Sequence, residues 1–147
     1  MNGSTRRSAF TLIELLIVIV GMTILAGILV PQVEGTLRDA TESAMLTNLY
    51  ELTGAIERYK MEHSGRAPDV VGGTLPQLTS QTNASGEIGT GAAYRYGPYM
   101  VNQIPANPLN GSATIKEVFV VPPPNPELEK GWLYHPITGQ IWPGEKR

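Results

Sequence analysis

One carboxylate stands alone in a long apolar run. Between residues 12 and 30 the only charged side chain is Glu14, and Arg6-Arg7 lie just ahead of the run. At about 1.5 Å of helical rise per residue the run would cover roughly 28 Å, close to the hydrocarbon thickness of a bilayer. An acid in such a segment is costly to keep, which marks Glu14 as a functional position with a partner to be found. Other chemistry is sparse. The chain has two histidines, His63 and His135, no cysteine, no glycine-rich phosphate loop and no serine-centred elbow, so catalysis has little to stand on. A net charge of −2 without a basic patch gives nucleic acid no footprint. Asn125, Glu127 and Glu129 could supply hard oxygen ligands to a cation such as calcium, with surface solvation as the default for such residues.

Three readings compete for the start of the chain. A secretory signal would have an uncharged apolar core ending at an Ala-x-Ala-like site, and Glu14 opposes that. A twin-arginine signal could use Thr5-Arg6-Arg7, but its phenylalanine falls a residue late and the apolar run is long for such a signal. The third reading cuts between Ala9 and Phe10, which keeps the apolar segment as the new N-terminus.

Ser8-Ala9-Phe10-Thr11-Leu12-Ile13-Glu14-Leu15-Leu16 resembles the processing site of type IV pilins and of the pseudopilins of type II secretion systems, the major pseudopilin above all. The resemblance implies removal of a basic leader, residues 1–9, by a prepilin peptidase at the cytoplasmic face, followed by N-methylation of Phe10. It departs at Ala9, where the family usually has glycine. Pro31 matches the helix-loosening proline that pilins commonly carry. After cleavage the α-amine of Phe10 becomes a cation, and Glu14 of a neighbouring copy could neutralise it within the apolar phase. Glu14 could instead pair with its own Phe10 amine or offset its own helix dipole. The resemblance also implies calcium in the loop before the last strands, held by Asp side chains and carbonyls. Here the only aspartates, Asp39 and Asp69, lie far upstream of that loop. The lack of cysteine leans away from pilins with a C-terminal disulfide.

These residues must be held by a long helix. Residues 10–31 read as a transmembrane and filament-core segment, and residues 32–147 as a periplasmic head. In the head, 32–63 reads as an amphipathic helix with Val33, Leu37, Ala40, Met45, Leu49, Leu52, Ile56 and Tyr59 on one face and Gly65 as its stop. Residues 64–113 read as a long loop rich in Gly, Ser, Thr and Asn. Strands are expected at 114–121, 132–135 and 140–142, with 136–139 as a hairpin turn and 122–126 as stiff polyproline. Trp132, Tyr134 and Trp142 are expected to cover the helix stripe.

The expected fold is therefore α+β: a long N-terminal helix, half membrane and half amphipathic, packed on a small C-terminal antiparallel sheet. The expected function is a non-enzymatic, self-assembling subunit of a type II secretion pseudopilus at the bacterial inner membrane. Its expected partners are copies of itself, the prepilin peptidase, an inner-membrane assembly platform and minor pseudopilins. The alternatives are a type IV pilin of a surface fibre and a membrane-tethered binding module that never polymerises. No resident cofactor is expected apart from the calcium just considered.

Overall fold

The computed structural model describes residues 10–129 and 131–145, apart from the side chains of residues 27–34 and 127. Contacts divide the chain into two compact units, Met1–Asp39 and Ala40–Arg147. Helix α1, Leu12–Glu62, begins in the first and ends in the second, and its assignment is continuous through Pro31.

The end of α1 is built from its own sequence. Ser64 and Gly65 take φ of 57° and 81°, and the Gly65 N–H reaches back to the Lys60 carbonyl at 2.8 Å. That six-residue closure is a Schellman stop, in which left-handed residues turn the chain away from the helix axis. The expected stop near Gly65 is where the helix ends. Lys60, in the last turn, adds a cation near the orphan carbonyls and donates to the Thr138 carbonyl at 2.9 Å.

Within the second unit the core forms on one face of α1. Leu52, Ala55, Ile56 and Tyr59 are buried together with Leu75, Leu78, Tyr99, Met100, Ile104, Ile115, Trp132, Tyr134 and Ile141. Met45 and Leu49 are partly buried against this cluster, whereas Leu37 and Ala40, further up the expected stripe, are exposed. Inside the segment read as loop, Pro76–Thr79 forms a one-turn helix, α2, which seats Leu78; Leu75 is buried just before it.

The sheet has three strands, β1 Ile115–Glu117, β2 Trp132–Tyr134 and β3 Ile141–Pro143, in the order β1-β2-β3. The α+β class holds, but only one of the two pairings is antiparallel. β2 and β3 run antiparallel, with Tyr134 opposite Ile141, while β1 and β2 run parallel, with Ile115 opposite Trp132. A parallel pair needs a crossover of about a dozen residues or more, and the segment 118–131 is long enough to supply one. The turn at 136–139 is the expected hairpin: His135 N–H bonds the Gln140 carbonyl at 2.9 Å and Gly139 N–H bonds the His135 carbonyl at 2.8 Å.

Other strand expectations are corrected. The run 114–121 pairs over Ile115–Glu117, with flanking bonds from Trp132 N–H to the Thr114 carbonyl and from Val118 N–H to the Tyr134 carbonyl, each at 2.8 Å, because β2 is itself only three residues long. Phe119, Val120 and Val121 are left exposed. Residues 122–126 are not an extended polyproline rod; bends at 120–122 and 124 lead into left-handed Asn125 and a 3-10 turn at Pro126–Leu128. Trp132 and Tyr134 do join the helix stripe, with their polar tips satisfied by the carbonyls of Pro105 and Pro68, each at 2.8 Å. Trp142 does not. Strand alternation gives the core position to Ile141 and sets Trp142 half-buried on the other face, opposite Leu133.

Candidate assembly site

In the first unit two of the candidate site residues, Phe10 and Glu14, lie at the start of α1. Phe10 and Thr11 are non-helical and exposed, and the helix begins at Leu12. Thr11 closes it. Its N–H and its hydroxyl both donate to Glu14 Oε2, at 2.8 and 2.7 Å, and the Glu14 N–H returns a bond to Thr11 Oγ1 at 3.3 Å. This is a capping box, which satisfies backbone donors that the first turn leaves without partners. Its signature, a threonine followed three residues later by a glutamate, stands in the sequence, although that reading weighed Glu14 only against an amine or the helix dipole. Within a single chain Glu14 thus serves its own helix start. Its second oxygen, Oε1, takes no bond among the described residues, so the same carboxylate can hold the box and still meet a cation.

From the box to Leu25 the helix is apolar on every side. Leu12, Ile13, Leu15, Leu16, Ile17, Val18, Ile19, Val20, Met22, Ile24 and Leu25 are all exposed in the isolated chain. A helix that is apolar all round requires an apolar surrounding. Thr23 shows how polar groups here are handled, since its hydroxyl bonds the Val20 carbonyl at 2.8 Å within the helix itself. Among the described residues no helix is long and apolar enough to cross a membrane. The run read as a span, 10–31, continues into residues whose side chains lie outside the description, Pro31 among them; Ala9 and the rest of the expected leader lie outside the described residues.

The two histidines are engaged in structure. His63 is buried, stacked on Tyr59 at 3.9 Å between centroids, with its ring nitrogens 2.9 Å from the Tyr59 carbonyl and 3.0 Å from the Asn83 carbonyl. His135 Nδ1 accepts the Thr138 N–H at 3.2 Å and so braces the hairpin turn. Nearby, Tyr99 donates to Glu62 Oε2 at 2.6 Å; burial, then this bond to a carboxylate, pushes its ionisation above the ordinary tyrosine value of 10.0.

Among the described residues the oxygen ligands considered for calcium do not converge. Glu129 is ion-paired with Lys116, Asn125 is exposed ahead of the 3-10 turn, and the side chain of Glu127 lies outside the description. Among the described residues no three carboxylates or imidazoles come together. Calcium asks for about six to eight oxygens, and a carboxylate already paired with an ammonium is a poor start. Among the described residues the donor set does not fit the ion.

Comparison with known proteins finds relatives of the chain by sequence. The chain is 32% identical over 103 residues to the type II secretion system core protein G of Aeromonas hydrophila, covering 70% of this chain and 68% of that protein. It is 29% identical over 108 residues to the core protein G of Vibrio cholerae serotype O1, covering 74% and 69%. With the core protein G of Klebsiella pneumoniae the identity is 36% over 59 residues, 40% of this chain and 42% of that protein. No family model matches the chain, and no solved structure matches it.

Proposed function

The chain belongs to the type II secretion system core protein G family, the major pseudopilins, and from that membership we propose that it is a structural subunit that polymerises into a pseudopilus. On this reading the prepilin peptidase cuts between Ala9 and Phe10, Phe10 is N-methylated, and residues 10–31 anchor the subunit in the inner membrane until it enters the filament. The head stays periplasmic. Growth involves an inner-membrane assembly platform and minor pseudopilins.

The observation that carries the reading is the all-round exposure of apolar side chains from Leu12 to Leu25, headed by a single capped carboxylate. Lipid can cover that surface before assembly, and neighbouring copies can cover it afterwards. The free oxygen of Glu14 suits the Phe10 amine of a neighbour, the one cation that cleavage would place at the same depth. The relatives' names favour a secretion filament over a surface fibre.

Two measurements test it. Intact-mass spectrometry of membrane-extracted protein should give a chain starting at methylated Phe10; a full-length mass or a cut near Ala26 would overturn the processing step. Electron microscopy of cells overproducing the chain with its secretion machinery should reveal short filaments. A processed protein that stays dispersed in the membrane would leave the tethered binding module as the reading.

A further inference from the structure

The resemblance to major pseudopilins implies a calcium ion where the loop before the last strands closes, and the described side chains there do not fit one. What holds that place instead can be followed atom by atom. Asn107 is fully buried. Its Nδ2 donates to the carbonyls of Gly131 and Gly144, both at 2.8 Å, while its Oδ1 accepts the Leu109 N–H at 3.0 Å. Asn110 repeats the pattern: Nδ2 donates to the Gly144 carbonyl at 2.9 Å, and Oδ1 accepts the N–H of Gly131 at 3.1 Å and of Ser112 at 3.2 Å. Two amides therefore join the turn at 107–112, the start of β2 and the end of β3.

The amide orientation is set by its surroundings. Flipping Asn107 would aim Oδ1 at two carbonyl oxygens and an NH2 group at an N–H, losing every bond it makes. Nearby, the Pro126 carbonyl accepts N–H groups from Glu129 at 3.1 Å and Glu145 at 2.8 Å, and Lys116 ties β1 to the crossover through Glu129. The carbonyls of Pro126, Gly131 and Gly144 are thus all bonded to N–H groups of the chain. Calcium recruits carbonyl and carboxylate oxygens with its charge. Here amide NH2 groups and one ammonium do the recruiting.

We infer that Asn107, Asn110 and Lys116 form an ion-free clamp that closes the head, so that its stability does not depend on calcium. The inference goes beyond the assembly reading and does not need it, because it concerns the unassembled chain.

The test uses full-length protein in detergent, with thermal unfolding followed by tryptophan emission in EDTA and in millimolar CaCl2. Wild type should melt at the same temperature in both. Asn107→Ala should melt lower by about 10 °C in both buffers, since two buried carbonyls each lose one of their two donors, the Leu109 N–H loses its acceptor and the truncation leaves a void in a fully buried site. Should that variant not fold, Asn110→Ala, which also removes three bonds, one donated and two accepted, but from a half-buried site, should show a smaller drop, again equal in both buffers. A wild-type midpoint raised several degrees by CaCl2, or asparagine variants that melt like wild type, would overturn the clamp.

Discussion

Gly131→Ala should loosen the head far more than the same change at Gly65, although both glycines have positive φ, 75° and 81°. At Gly65 a Cβ would meet nothing within 4 Å, so the substitution carries only the left-handed backbone cost, about 1–2 kcal/mol. At Gly131 the Cβ would press on the Thr114 carbonyl oxygen and lie 3.1 Å from both the carbonyl carbon and the nitrogen of Thr114. Those are backbone atoms and cannot rotate away. Relief requires β1 to shift from β2, against the bond from Trp132 N–H to the Thr114 carbonyl at 2.8 Å that begins their pairing. Overpacking of that kind adds about 1–3 kcal/mol. The two variants should therefore differ by about 2 kcal/mol, or roughly 10 °C in melting temperature for a domain near this size. Tryptophan emission reports it directly, because Trp132 is buried beside the strained contact. Both variants should still be processed at Phe10 on the proposed reading, since the processing motif lies wholly upstream. Equal melting temperatures would refute the argument, showing that the close approach at 131 relaxes without disturbing the β1–β2 pairing.

The capping box lets the two jobs of Glu14 be separated. Glu14→Gln keeps an oxygen for Thr11 but no charge for a neighbour's amine, Thr11→Ala breaks the box but keeps the charge, and Glu14→Leu removes both. Filament counts by electron microscopy should fall for both Glu14 variants and be largely kept for Thr11→Ala, with all three processed and membrane-bound; normal filaments from Glu14→Gln would reduce the acid to a helix cap. A separate expectation concerns alkaline pH. Burial first, then Glu62 for Tyr99 and Asp69 for Tyr134, hold both phenols above their ordinary 10.0 in the folded head. The unfolded chain releases these protons first, so this contribution is fully present below pH 10 and is lost as pH rises beyond it. The urea midpoint should fall between pH 9 and about 11, less steeply in Tyr99→Phe, and a flat profile would remove the argument.

Much of the long helix, with its start and its stop, was legible in the linear chain because its causes are local. An apolar run with one acid, a threonine three residues before that acid, a three-and-four spaced stripe ending in Tyr59 and a Ser64-Gly65 stop all act within a turn or two of helix. Turn chemistry at 136–139 likewise fixed the last hairpin. The closure of the head was not legible, because its bonds join residues far apart in sequence. Asn107 reads as one more turn residue between two prolines, and nothing near it says that its amide will be buried against Gly144, 37 positions on. The crossover at 118–131 reads as strand and proline rod, yet β2 offers only three residues to pair with, so Phe119 to Val121 come loose and β1 lies parallel. Glu129 reads as an oxygen ligand until the fold brings Lys116 beside it. Local periodicity determines which segments are helix and where they stop; which polar groups meet, and so whether an ion or an amide closes the head, is set only when distant backbones arrive at the same place.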